Sequence, residues 1–349
     1  MSVVSMKCPN CAAPIAFDIG LQKWECKFCD SSFSESDAGS FEKQTDSQAG
    51  QWCPDSFTEE DGAAVYNCPG CGGKVLADKN TAATFCAYCH SPAILAGRLS
   101  GEFRPARIIP FKLVRDEAVA SMQKLCKRKI LLPKAFREAM DKGEITGLYV
   151  PFWLYSADVE AFYTATGKRI TVWSDSRFKY TKTDTYQVER EMMIPLRQVP
   201  VDASARMDDK LMDALEPFDY GNLIPFSMEY LSGVFAESYD VDSIASAPRF
   251  HARARAGAQS AIAETTSGYN IIEKPNLRTN MKNMDCIYAM LPVWTLMTQY
   301  RGKTYFLAMN GQTGKSAGKL PICAARAAII FGIVAAAVTI TTLVGGMFL

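Results

Sequence analysis

Two copies of one cysteine pattern constrain this chain more than any other feature. The first is Cys8-Pro-Asn-Cys11 with Cys26-Lys-Phe-Cys29, and the second is Cys68-Pro-Gly-Cys71 with Cys86-Ala-Tyr-Cys89. Fourteen residues separate the CxxC pairs in each copy, and each cysteine of the second copy lies sixty residues after its counterpart. A CxxC turn sets two thiolates on one side of a tight knuckle. Two knuckles supply the four soft ligands that tetrahedral zinc takes at about 2.3 Å. The pattern predicts two zinc ribbons and two structural zinc ions per chain, each site closed and without an open position for catalysis. Pro9 and Pro69 restrict their turns, Gly72 suits left-handed backbone, and Ala12 departs from that preference. A module of about 30 residues has too little core to fold alone, whereas zinc supplies about 10–16 kcal/mol in such units. A redox-dithiol reading does not account for four matched pairs. His90, next to Cys89, is read as a turn residue because four sulfurs already complete each site.

Zinc-thiolate chemistry and the scattered remaining cysteines (Cys53, Cys126, Cys286 and Cys323) favour a reducing compartment over a disulfide framework. At 349 residues, 48% hydrophobic and 21% charged, the chain can bury a substantial core and hold two or three domains. The net charge of +1 lacks the basic excess of a typical nucleic-acid binder. No secretory signal is read at the N-terminus. The run 327–349 carries no charged residue, and Lys315, Lys319 and Arg326 precede it. As a helix it is expected to span a bilayer, with residues 1–326 on the cytoplasmic side by the positive-inside rule. This is a tail-anchored, single-pass layout.

The expected organisation is zinc ribbon one at 1–33, an acidic flexible linker at 34–64, ribbon two at 65–98, a body at 99–321 and a transmembrane anchor at 322–349. The body reads as α+β with antiparallel sheet. A helix begins near Asp116, a second opens at Pro133 and ends at Gly143, and 244–266 is a third. Aromatic and β-branched residues from Ile145 read as strands, with a turn at Thr166-Gly167-Lys168. Ser204 is a candidate cap for a helix through Leu215. A strand meander closes the body, with turns at Arg301-Gly302 and at Gly311 to Gly314.

Phe17, Trp24, Phe28, Phe33, Phe85 and Tyr88 flank the knuckles and read as small ribbon cores or as a protein-docking face. Within the ribbons no basic stripe with interleaved aromatics is found. Lys124, Lys127, Arg128, Lys129, Lys134 and Arg137 form a basic cluster, an ordinary solvated face or a surface for anionic headgroups. Asn310-Gly-Gln-Thr-Gly-Lys315-Ser316 fails as a phosphate loop because Met309 stands where glycine is needed and Gly318 and Pro321 follow. No catalytic constellation is found around His90, His251 or the acid pairs, so the chain is not expected to be an enzyme.

CPNC…CKFC, CPGC…CAYC, PFKLVRDEAV, LLPKAFRE, GLYVPFWLYSADV, VPVDAS, LEPFDY, LPVWTL and FLAMNGQTGK together resemble bacterial membrane-anchored zinc-ribbon proteins of the TFIIB type. The resemblance covers nearly the whole chain and does not imply transcription. It implies placement in the bacterial inner membrane and a role in envelope stress, with flotillin-like (SPFH-domain) or phage-shock protein A-like partners. The eight cysteines carry over as zinc ligands. The resulting expectation is a membrane-anchored scaffold that docks cytoplasmic partner proteins. A membrane-associated nucleic-acid-binding regulator is the second reading.

Overall fold

Period-two alternation along three long stretches decides the architecture. The computed structural model describes residues 3–34, 36–37, 41–46, 64–68, 74–77, 80–86, 91–95, 99, 103–141 and 143–346. The N-terminal third is built of short strands: β1 (Val3–Lys7), β2 (Ala16–Asp18), β3 (Lys23–Glu25), β4 (Ser32–Phe33), β5 (Glu42–Asp46), β6 (Ala64–Asn67), β7 (Lys74–Ala77), β8 (Thr81–Phe85) and β9 (Pro92–Leu95). After β10 (Arg107–Ile108) come helices α1 (Arg115–Arg128) and α2 (Lys134–Asp141), then the long strands β11 (Glu144–Ser174) and β12 (Lys179–Asp202). Next are α3 (Asp209–Ala214), β13 (Ile224–Pro225), β14 (Phe235–Glu237), α4 (Ser243–Thr266), β15 (Ile271–Tyr300), β16 (Lys303–Asn310), β17 (Ser316–Gly318) and α5 (Ala324–Gly346).

Strand β11 is the spine. It pairs antiparallel with β15 from Glu144 to Lys168 and with β12 from Phe152 to Ser174. Tyr149, Trp153, Tyr155 and Ala157 face one hydrophobic core, together with Met290, Trp294 and Leu296 of β15. Val150, Phe152 and Leu154 face the other, with Ala289, Leu291 and Val293, under Met212 and Leu215. Both faces of the central sheet are therefore covered, which side chains alternating across a pleat make possible.

The expected α+β body with antiparallel sheet is corrected. Strand dominates, and among the described residues one mixed sheet of twelve strands runs through both the body and the N-terminal third. β10 lies parallel to β15, and β14 lies parallel to β11. The short strands enter this way because β8 pairs with β14 while β9 pairs with β1, which carries β5 on its far side. Part of the 34–64 segment, β5, is thus a sheet strand.

The transmembrane anchor is corrected as well: among the described residues no helix is long and apolar enough to cross a membrane. The C-terminal run does coil into α5. The tail-anchored, single-pass layout, the bacterial inner-membrane placement and the membrane as a partner through this helix fall with it. Recruitment of SPFH/flotillin-like or phage-shock protein A-like proteins by such an anchor falls too.

Helix α4 shows how a weakly amphipathic sequence is held. Ser246, Phe250, Ala254, Ala258, Ile262 and Thr266 form a buried stripe four residues apart. Its lower half packs on Ala161, Tyr163, Ala165 and Val188 of the long hairpin. Arg249 bonds Asp202 at 2.6 Å, and Arg253 bonds Glu216 through both terminal guanidinium nitrogens, tying α4 to β12 and to the segment just after α3. The Asp202 carboxyl is raised by desolvation, against which the Arg249 hydrogen bond works.

The hairpin turn lies at Asp175 to Phe178, not at Thr166-Gly167-Lys168, and the Asp175 carboxylate accepts from the Arg177 and Phe178 amides. Gly167 serves packing instead: a Cβ there would stand 2.7 Å from the Tyr269 ring. Asp208, not Ser204, caps α3, accepting from the amides of Lys210 and Leu211. The turn after Asn310 leads into strand β17 rather than a helix, consistent with the rejected phosphate loop.

Candidate metal centre and docking surface

The first four cysteines converge. Their sulfurs all lie within 4.8 Å of one another, with Cys8 to Cys29 at 3.6 Å and Cys11 to Cys26 at 3.5 Å. A tetrahedron with metal–sulfur bonds of ~2.3 Å has edges of about 3.8 Å, so the donor set fits one such ion. The backbone forms two matching knuckles. The Ala12 amide donates to the Cys8 carbonyl at 2.8 Å, and the Asp30 amide donates to that of Cys26 at 2.9 Å. Ala12 and Asp30, each just after a knuckle, take left-handed φ of 59° and 54°. The position where glycine is favoured therefore holds alanine at a conformational cost.

Cys8 and Cys26 are buried, whereas Cys11 and Cys29 face solvent. As free thiols Cys11 and Cys29 titrate unevenly. The Ser31 hydroxyl and amide hydrogen-bond Cys29 and hold it down to about 6. The Ala13 amide favours the Cys11 thiolate, but desolvation and the neighbouring cysteines outweigh it and push that thiol up to about 12. A bound metal deprotonates coordinating thiols outright.

The second copy is described in part. Cys68 and Cys86 are buried against each other. The Cys86 amide donates to the Ser91 carbonyl at 3.0 Å, as the Cys26 amide does to Ser31. That repeats the sixty-residue offset in hydrogen bonding. Cys71, Cys89, His90 and Tyr88 lie outside the described residues, as does Cys53.

Ribbon one does not stand apart from the body. Its strands β2, β3 and β4 form a three-stranded sheet. Trp24 at its centre is fully buried, and its indole donates to the Glu229 carbonyl at 3.0 Å. The Phe17 amide donates to the Ser232 carbonyl at 2.8 Å, and the Ser232 hydroxyl donates to that of Ile15 at 2.6 Å. Phe17, Trp24 and Tyr230 pack ring against ring, with centroids 4.9–5.2 Å apart. Gly233, at φ +95°, lets the chain pass against Ala16.

The aromatic residues flanking the knuckles thus divide. Phe17 and Trp24 are core, and Phe33 is half-buried. Phe28 is 86% exposed on the knuckle between Cys26 and Cys29. It rims a cleft of about 630 Å³ between the ribbon and the body, lined also by Glu25, Lys27, Phe85, Arg115 and Phe235. The composition of the knuckles does not reveal this cleft, because its far wall comes from residues some two hundred positions later.

The basic cluster is separate from the cysteines. Lys124, Lys127, Arg128, Lys129 and Lys134 are exposed on α1, α2 and the intervening turn. Arg137 turns back to donate to the Lys129 carbonyl at 3.0 Å, and Lys134 lies 4.0 Å from Glu138. Arg326 donates to the carbonyls of Ile130 and Leu132.

No family model matches the chain. No solved structure matches it either. It is 33% identical over 329 residues to the uncharacterized protein YdjG of Bacillus subtilis (strain 168), across 94% of this chain and 93% of that one. The chain belongs to the same family as YdjG.

Proposed function

We propose that the chain is a non-enzymatic scaffold whose first ribbon, closed by zinc, presents a docking surface to other proteins. The carrying observation is Phe28. A large apolar side chain 86% exposed on a knuckle of the four-cysteine site, beside a cleft shared with the body, has the form of an interface anchor. Zinc suits a site of four thiolates within 4.8 Å, since soft sulfur in tetrahedral array selects it. A second zinc in the repeat, for two per chain, is supported by the buried pair Cys68 and Cys86 and by the repeated amide bond to Ser91. Metal in this role is structural. It fixes the knuckle, and Trp24 and Phe17 then fix the knuckle's position on the body.

The test is a photocrosslinking residue placed at position 28 in cells, with position 244 as control. Ile244 is 83% exposed on another element. A discrete protein adduct from position 28 that position 244 does not give supports the reading. Equal smears from both positions contradict it. An adduct that nuclease removes transfers the assignment to the nucleic-acid reading.

A further inference from the structure

A second surface, distant in sequence from the ribbons, is built to take a peptide strand. β16 pairs with β15 along its whole length, from Lys303 to Asn310. On its other side β17 covers only Leu307 to Met309. β17 stops at Gly318, and Pro321 soon follows, a residue that cannot donate to a ladder. Among the described residues, Lys303 to Phe306 therefore form an open sheet edge in line with β17. Alternate residues of a strand direct N–H and C=O to each side, so two of these four positions offer a donor and an acceptor outward.

The open edge forms one wall of an apolar cleft of about 770 Å³. Met207, Leu211 and Ala214 also line it, as does Met297, 60% exposed, which lies opposite Phe306 on β15. The lining carries four cations, Arg206, Lys210, Lys303 and Lys319, and one carboxylate, Asp208. That carboxylate already pairs with Lys319 at 3.1 Å.

We infer that this cleft binds an extended peptide of alternating apolar and acidic residues, added as a strand antiparallel to β16 in continuation of β17. The edge supplies main-chain hydrogen bonds, the cleft takes the apolar side chains, and Lys210 and Lys303 meet the acids. Charge argues against a second copy of the chain as occupant. Pairing two identical edges would set four cations and one already paired carboxylate against the same set, the kind of repulsion that protects natural edges from self-association. The site is independent of the metal-ribbon reading and stands or falls separately from it.

The experiment is fluorescence anisotropy of the full chain with a labelled peptide of alternating valine and glutamate. Its comparators are the valine–lysine analogue, a version N-methylated at alternate residues, and dodecanoate as a simple anionic amphiphile. Saturable binding of the glutamate peptide is expected, at least tenfold tighter than either analogue. Ala214→Trp, at an exposed helix position, should fill the cleft and weaken binding at least tenfold. Lys210→Glu/Lys303→Glu should reverse the preference between the acidic and basic peptides. Ile244→Ser, at an exposed position on α4, should leave binding unchanged. No saturable binding up to 1 mM, indifference to N-methylation, or dodecanoate displacing the peptide while the N-methylated form binds equally well would each overturn the proposal.

Discussion

The indole Nε1 of Trp24 donates a 3.0 Å hydrogen bond to the carbonyl of Glu229, joining residues 205 positions apart. With the bonds of Ser232 to Phe17 and Ile15, it makes the first ribbon part of the body's core. Trp24→Phe keeps the ring stacking but leaves a carbonyl in the core short of this donor. That carbonyl keeps the Ser232 amide at 3.1 Å, so the loss costs about 0.5–1.5 kcal/mol, the net worth of one hydrogen bond. Urea unfolding should show a lower midpoint with an unchanged slope, and metal content should be unaltered.

Ala12 holds a left-handed conformation that glycine adopts without strain. Ala12→Gly should raise stability by about 0.5–1 kcal/mol, because the relief in the folded state exceeds the entropy added to the unfolded chain. Chemical denaturation of the metal-loaded protein measures it.

Gly167 lies under the Tyr269 ring. Gly167→Ala pushes that ring off the sheet and should destabilise by about 1–3 kcal/mol, the usual range for overpacking. Tyr269→Ala removes the obstacle, so in that background Gly167→Ala should cost far less. A double-mutant cycle separates the two.

Asp158 and Glu160 stitch β11 to its neighbours. The Asn283 amide and then Arg197 hold the Asp158 carboxyl below its ordinary value, and Lys282 and then Asn280 do the same for Glu160. A carboxylate whose folded pKa is depressed contributes stability that is fully present above its unfolded pKa, about 4, and lost as pH falls through the folded value. Thermal midpoints should therefore drop below pH 4, and the drop should be shallower in Asp158→Asn/Glu160→Gln.

Much of the body was legible because local signals agreed. The periodicity from Asp116, the proline at 133, the alanine-rich stretch of α4 and the closing meander all became the expected elements. Gly167 misled because glycine marks both a turn and a close ring contact, and only the fold places Tyr269 above it. Ser204 lost to Asp208 because the chain turns through 204–207 before α3 begins. The cysteine spacing identified the four thiols that converge in the first site, since they sit in local knuckles. It did not reveal the cleft beside Phe28 or the sheet shared by ribbon and body, which depend on pairings such as β8 with β14 across some 150 residues. The C-terminal run illustrates the reverse limit: unbroken apolar composition led to a membrane span, and no described helix meets the length and apolarity a crossing requires.

The most direct test of the metal-held docking surface is the affinity of the protein captured at position 28, measured as zinc is returned to chelated chain. Binding should reappear with filling of the Cys8, Cys11, Cys26 and Cys29 site. It should stay absent in Cys11→Ser/Cys29→Ser and fall at least tenfold in Phe28→Ala at unchanged zinc content. Equal affinity with and without zinc, or full affinity in Phe28→Ala, would contradict the account.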